Sequence, residues 1–291
     1  LAKLALPVSM SSIMLPLVAN LDLLVVPLRL EAAGYSVGQA TELFGYLTGM
    51  AVPLVNLATI LTAALATSLV PAISEAYSLG DKQDILYRTA GSMRLANIAT
   101  IPFSVMLWVL AQPVVSVIYH APGAGDATRI MAAGGFLLGL HQVTTGVLQG
   151  LGRTAIPVIN MGISAVAKVI LNWTLTALPA LGIQGAAWAT VADIGIAAAL
   201  NLYFVHRYTG FFLNGNDLLK NFVAAIFMGG VMYFGYGPLL TAVRSELVAI
   251  CLISILGGLV YIGIMLAIGG INRRDIERFP ILGTLLKKGR R

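Results

Sequence analysis

Eight long apolar runs dominate the sequence and constrain its fold more than any other feature. A helix needs about 20 consecutive apolar residues to cross a bilayer. Each run is continuous and at least that long, whereas the strands of a membrane β-barrel alternate polar and apolar residues over about ten positions. The sequence therefore predicts an all-α polytopic membrane protein with eight transmembrane helices. The predicted spans are residues 4–28, 43–70, 95–118, 130–151, 156–178, 183–205, 219–240 and 247–268.

The composition agrees with a bilayer environment. Of the 291 residues, 58% are hydrophobic and only 10% are charged, and the mean hydropathy is +0.88. Charged residues make up about 25% of a typical soluble domain. Soluble enzymes, nucleic-acid-binding proteins and disordered chains are therefore excluded, and we expect no nucleic-acid partner despite the formal net charge of +6. The single cysteine, Cys251, rules out an internal disulfide.

The positive charges are distributed unequally between the two faces that eight spans define. One face carries 14 Lys and Arg, the other carries only Arg29, Arg129 and Arg244, and Lys168 lies inside a span, which accounts for all 18. The positive-inside rule assigns the richer face to the cytoplasm. The sequence thus predicts that both ends are cytoplasmic. Residues 78–94 are expected to form a short amphipathic helix in the first cytoplasmic loop, and the basic tail at 272–291 either lies on anionic lipid or is solvated.

No catalytic set of residues is visible. His120 and His206 lie at span borders, His141 lies within the fourth span, and the only cysteine has no histidine near it in the sequence. Nucleophilic catalysis needs a base beside the nucleophile, and ATP hydrolysis needs a glycine-rich phosphate loop with lysine. We therefore predict that the protein is not an enzyme and has no organic cofactor.

The start of the chain is already apolar. It begins at Leu1 rather than Met, without the basic region and cleavage site of a signal peptide. We expect the sequence to begin partway through a longer protein.

Four stretches resemble the stage V sporulation protein B group of polysaccharide exporters, within the superfamily of multidrug and toxin extrusion transporters and lipid-linked oligosaccharide flippases. They are Asp-Leu-Leu-Val-Val-Pro-Leu-Arg-Leu at 22–30, Ala-Leu-Ala-Thr-Ser-Leu-Val-Pro-Ala-Ile-Ser-Glu at 64–75, Gly-Val-Leu-Gln-Gly-Leu-Gly-Arg at 146–153 and Leu-Gly-Ile-Gln-Gly-Ala-Ala-Trp-Ala-Thr at 181–190.

This resemblance implies fourteen helices in two lobes, of which this chain would hold helices seven to fourteen. Residues 1–206 would form the six-helix C-terminal lobe, 207–271 two additional helices and 272–291 the tail. The implied function is export of a lipid-linked saccharide or peptidoglycan precursor across a bacterial plasma membrane by alternating access, for the cell envelope or sporulation. The implied partners are that substrate, membrane lipids and an N-terminal lobe.

Two alternatives remain open at this point. A multidrug or toxin antiporter of the same fold would export small cations and would have twelve helices. A non-transporting scaffold for cell-wall synthesis would tolerate neutral residues in place of its intramembrane charges.

Lys168 and Asp193 lie at the centres of consecutive spans, as counted with the helix rise of about 1.5 Å per residue. Because consecutive spans are antiparallel neighbours, the two charges are expected to meet near the midplane. The pair is either a structural ion pair or a functional group, such as a protonation switch or a cavity charge for a pyrophosphate.

A cation site is implied by the resemblance to lipid II flippases. Asp22, Asn172 and Thr190 match sodium ligands of those relatives in type and depth, and Thr176 stands where the relatives carry a second acid. The coupling ion would be Na⁺ or H⁺. The alternative is that Asp22 pairs with Arg29, two helical turns away.

Overall fold

The computed structural model describes residues 20–271, and every regular element within that range is a helix. In chain order the helices are α1 at 20–32, α2 Val37–Gly45, a π-helical turn Tyr46–Ala51, α3 Val52–Ala58, α4 Ile60–Ser78, α5 Lys82–Val109, α6 Ala111–Tyr119, a 3₁₀ turn Pro122–Ala124, α7 Gly125–Gly150, α8 Ala155–Leu175, α9 Ile183–Thr209, α10 Gly215–Val243 and α11 Glu246–Ala267.

Seven helices within the described range are long and apolar enough to cross a membrane. They correspond to the second to eighth predicted spans. The first predicted span, 4–28, lies mainly outside the described residues, and only its last part falls in α1. The all-helical membrane fold is therefore confirmed, while the count of eight stays a prediction.

The second predicted span, 43–70, is not one regular helix. A π-helical turn separates α2 from α3, and Thr59, with φ −106° and ψ 5°, separates α3 from α4. Pro53 lies at the start of α3 and has no N–H to donate, which disrupts the regular hydrogen-bond ladder there. The sequence prediction located the apolar run and missed its bends and its extension to Ser78.

The expectation of a separate amphipathic helix at 78–94 is wrong. The side chain of Asp81 accepts a hydrogen bond from the backbone N–H of Asp84, and the helix that it caps runs without interruption from Lys82 to Val109. The third predicted span, 95–118, is instead divided at Leu110, the residue between the end of α5 and the start of α6 at Ala111. Pro113 provides the reason, because its ring clashes with the carbonyl four residues earlier, at the last residue of α5.

The chain divides into two compact units, with the boundary between Phe212 and Leu213. In the first unit α7 is the central helix and packs against α4, α5 and α9, while α8 packs against α9. In the second unit α10 packs against α11, and the Tyr261 hydroxyl donates a hydrogen bond of 2.7 Å to Asn221 Oδ1.

Glycines on α7 allow its neighbours to approach closely. A Cβ atom at Gly146 would lie 2.6 Å from the Ala66 carbonyl oxygen of α4, and one at Gly139 would lie 2.8 Å from the Thr100 side chain of α5. Small residues at such crossings bring backbones together in membrane proteins, where helices associate through packing. The contact at Gly146 is with backbone, so it cannot be relieved by a change of rotamer.

We expect Gly146→Ala to lower the stability of the full-length protein by about 1–3 kcal/mol, the usual cost of overpacking. Gly45→Ala is the matched control, because a Cβ at Gly45 meets nothing within 4 Å and alanine favours helix. Thermal unfolding in detergent measures both variants. Equal melting temperatures for the two would contradict the packing described here.

Candidate functional site

A polar residue recurs at every fourth position along α8, in a row that winds gradually around the helix axis. Asn160, Ser164, Lys168, Asn172 and Thr176 are all at least 94% buried. Their spacing places them in one row, and the 16 residue steps from the first to the last correspond to about 24 Å at the helix rise. The hydrocarbon core of a bilayer is about 30 Å thick. A buried polar row of this length in a membrane helix marks a functional region, and we call it the α8 polar row.

The centre of the α8 polar row is a group of three charges from three helices. Lys168 Nζ lies 2.5 Å from Asp22 Oδ2 of α1 and 4.0 Å from Asp193 Oδ2 of α9. Asn172 Nδ2 donates a hydrogen bond of 2.9 Å to the other carboxylate oxygen of Asp22. With all three groups ionised, this charged triad has a formal charge of −1.

The geometry agrees only in part with the sequence expectations about these charges. Lys168 and Asp193 do lie near each other, but the shorter contact of Lys168 is with Asp22, which the sequence analysis had assigned to a different site. The alternative pairing of Asp22 with Arg29 is corrected, because the Asp22 oxygens accept from Lys168 and Asn172.

Arg29 has other contacts near the C-terminal end of α1. Its Nε donates a hydrogen bond of 2.9 Å to the Trp173 carbonyl oxygen, and its guanidinium carbon lies 4.4 Å from the centroid of the Trp173 ring. These contacts provide a second connection between α1 and α8.

The predicted cation ligands are only partly available. Asn172 Oδ1 and Thr176 Oγ1 are buried and have no hydrogen-bond partner among the described residues. The Thr190 hydroxyl donates to the Ala186 carbonyl at 3.0 Å. Hard cations prefer oxygen ligands, so the two unpartnered oxygens fit such a site, but the ammonium of Lys168 already contacts the Asp22 carboxylate.

A second polar network lies at the N-terminal end of the α8 polar row, at Asn160. Asn160 Nδ2 donates to Asn201 Oδ1 of α9 at 2.8 Å, and Asn201 Nδ2 donates to Thr145 Oγ1 of α7 at 2.9 Å. Asn201 Nδ2 also lies 3.2 Å from His141 Nδ1. Asn201 is fully buried, so one amide fixes two side chains of α7. Of these residues the sequence analysis named only His141, and it predicted no contact for it.

Thr145 and His141 in turn line a cavity of about 500 Å³ between α4 and α7. Most of its α7 wall is polar and most of its α4 wall is apolar. The residues that line it are Ala63, Ala66, Thr67, Val70 and Pro71 of α4 and His141, Gln142, Thr145, Gly146 and Gln149 of α7.

Comparison with known proteins gives a family and a relative. The family model described as MatE matches residues 47–174. "Stage V sporulation protein B" of Bacillus subtilis (strain 168) is 29% identical over 268 residues, which are 90% of this chain and 51% of that protein. The chain therefore spans about half the length of this curated relative.

Solved structures share the fold. "Lipid II flippase MurJ, inward closed conformation" is 20% identical with a TM-score of 0.65, covering 85% of this chain and 51% of that one. "Outward-facing conformation of a multidrug resistance MATE family transporter of the MOP superfamily" is 18% identical with a TM-score of 0.60, covering 97% and 66%.

The charged triad predicts a specific rescue. Lys168→Met leaves two partly buried carboxylates without their cation, and we expect it to destabilise the full-length protein by about 3–5 kcal/mol. Adding Asp22→Asn to Lys168→Met should recover more stability than adding Asp193→Asn, because Asp22 makes the closer contact. Thermal unfolding of the purified protein measures all of these variants.

Asp126→Asn is the control for loss of one carboxylate, since Asp126 is exposed at the start of α7. It should change stability by less than about 0.5 kcal/mol. A Lys168→Met protein as stable as the wild type, or better rescue by Asp193→Asn, would contradict the arrangement.

Proposed function

We propose, from the premise that this chain is a member of the MATE-like (MOP) superfamily, that it forms the C-terminal lobe and two further helices of a membrane transporter. In this proposal the lobe rocks against an N-terminal lobe of the same protein, and the alternating motion moves a lipid-linked saccharide or peptidoglycan precursor between leaflets. The proposed substrate is supported by the resemblance to the stage V sporulation protein B group and by the fold shared with a lipid II flippase.

The charged triad is the observation that carries this proposal. An ionisable residue in the middle of a membrane helix costs about 2.5–3.5 kcal/mol on insertion scales and is found mainly where it serves transport or proton movement. Three such groups from α1, α8 and α9 meet here, and their formal charge of −1 leaves room for one more positive charge. A scaffold for cell-wall enzymes has no need of such a group.

The second candidate function is a multidrug cation antiporter, which the likeness to the MATE transporter favours at the level of fold. A cation-exporting cavity would be expected to offer carboxylates or aromatic faces to its substrate. The described residues that line the cavity between α4 and α7 include neither. We therefore place the saccharide first.

The proposed arrangement in the membrane follows the distribution of Lys and Arg. We propose a bacterial plasma-membrane location with eight spans and both chain ends in the cytoplasm. The proposed domains are the lobe at 1–206, two additional helices at 207–271 and the basic tail at 272–291. On this orientation α7 runs inward, so Gln149 lies nearer the cytoplasm than His141.

The triad is also the proposed coupling site. A monovalent cation would be held by Asp22, Asn172, Thr176 and Thr190 in competition with the ammonium of Lys168, and it would supply positive charge to the carboxylate. A proton on one of the two carboxylates is the alternative, because it would change the formal charge of the triad by the same amount. In both cases Lys168 is released or retained according to the charge beside it.

Transport by the full-length protein in proteoliposomes tests the proposed substrate. We expect translocation of a lipid-linked saccharide, measured by accessibility of a fluorescent headgroup to a quencher, and no export of tetraphenylphosphonium. The control is the Asp126→Asn protein, which should transport normally. Export of the organic cation alone would favour the antiporter, and transport of neither substrate by an intact protein would favour the scaffold.

Cation dependence of stability tests the proposed coupling. We expect Na⁺, but not choline, to stabilise the Lys168→Met protein more than the wild type, because the missing ammonium leaves Asp22 open. Asp22→Asn should abolish this response. Stabilisation of Lys168→Met by lower pH without any response to Na⁺ would identify the proton as the coupling ion. A response to neither would contradict coupling at the triad.

A further inference from the structure

We infer that the cavity between α4 and α7 is a carbohydrate-binding subsite, which recognises the sugar part of the transported molecule and leaves its phosphate groups to other parts of the protein. The inference rests on the proposed function and locates recognition of the sugar in this cavity. It is supported by the hydrogen bonds within the cavity walls and by the absence of charged side chains among the described lining residues.

The polar wall of the cavity is unsuited to contact with lipid tails. His141, Gln142, Thr145 and Gln149 lie on one stretch of α7, which measures about 12 Å along the helix. Polar side chains within a membrane span face protein or a water-filled space, because hydrocarbon offers them no hydrogen bonds. A cavity of about 500 Å³ also falls within the range of about 300–1,000 Å³ that small-molecule sites occupy.

Buried groups hold the polar wall in place. Asn201 donates to Thr145 and contacts His141, and it is itself fixed by Asn160. From the α4 side, the Thr62 hydroxyl donates a hydrogen bond of 2.5 Å to Gln142 Oε1, and Thr62 is fully buried. A side chain whose orientation is set before binding loses less entropy when a ligand arrives. The wall is therefore preorganised.

The chemistry of the wall selects the ligand class. None of the described lining residues is Asp, Glu, Lys or Arg. Pyrophosphate binding relies on charge-assisted bonds from Arg or Lys, and organic cations rely on carboxylates or aromatic faces. Amide and hydroxyl groups instead both donate and accept hydrogen bonds, as the hydroxyl and acetamido groups of sugars do. The apolar α4 wall, with Ala63 and Val70, suits the C–H face of a sugar ring.

The position of the cavity connects it to the charged triad. Asn160 is the first member of the α8 polar row, and its side-chain amide donates to the same Asn201 that orients the cavity wall. A ligand that moves His141 or Thr145 therefore acts on the helix that carries Lys168. This gives the bound sugar a physical route to the coupling site.

Binding of a soluble sugar to the purified full-length protein tests the inference. The probe is the β-1,4-linked dimer of N-acetylglucosamine, followed by saturation-transfer NMR and a titration. We expect Gln142→Leu and Gln149→Leu each to weaken binding roughly three- to tenfold, which corresponds to about one hydrogen bond. Gln184→Leu is the matched control, because Gln184 lies at the start of α9 and outside the cavity wall, and it should bind like the wild type.

Three outcomes would overturn the inference. These are equal binding by all the variants, binding of inorganic pyrophosphate that Gln142→Leu and Gln149→Leu weaken, and binding of tetraphenylphosphonium that the same variants weaken. Melting temperatures equal to that of the wild type show that the variants fold. If a glutamine variant does not fold, Thr67→Val replaces it, because Thr67 lines the cavity at an exposed position. If Gln142→Leu and Gln149→Leu bind the sugar as well as the wild type does and also transport normally, the subsite is refuted and the proposed function stands. Sugar binding without any transport of a lipid-linked saccharide refutes the proposed function and leaves the subsite intact.

Discussion

The ammonium of Lys168 between two carboxylates is the interaction on which the rest of the first compact unit depends. Each of the three charges would be costly alone in a bilayer, and each comes from a different helix, so their mutual neutralisation holds α1, α8 and α9 together. The neutralisation is incomplete, since two carboxylates meet one ammonium. One unbalanced negative charge therefore remains where the three helices meet, and the proposed coupling relies on it.

The helices α7 and α8 both pack against α9, but their contacts differ in kind. α7 has glycines where α4 and α5 cross it, so its contacts are close and made by backbone and small side chains. α8 instead buries a polar row that needs partners from other helices. Asn201 of α9 connects the two, because it bonds to Asn160 of α8 and to Thr145 of α7. The apolar packing supplies a rigid frame, and the polar contacts supply the groups that can change partners.

The spans could be predicted from the sequence because the length and hydropathy of a membrane helix are local properties. The break at Leu110 and the start of α5 at Lys82 were missed, because they depend on the ring of Pro113 and on the capping side chain of Asp81. Depth arithmetic brought Lys168 and Asp193 to one level but separated Asp22 from them by about 9 Å. This arithmetic gives only the depth of each backbone position, whereas the four-carbon side chain of Lys168 reaches a carboxylate at a different depth. The four-residue spacing along α8 was visible in the sequence and would have indicated one buried row of polar side chains.

The departure from the relatives at Thr176 has a physical counterpart in Lys168. The resemblance implies two acids around the sodium ion of lipid II flippases, and two carboxylates with one bound monovalent cation carry a formal charge of −1. In this chain the residue at 176 is a neutral threonine, while Asp22, Asp193 and the ammonium of Lys168 carry the same formal charge without any ion. The side chain of Lys168 thus supplies covalently the charge that an ion supplies there. In the coupling that we propose, an ion that enters this site displaces a tethered amine from Asp22, and its binding is coupled to the position of α8 through that single side chain.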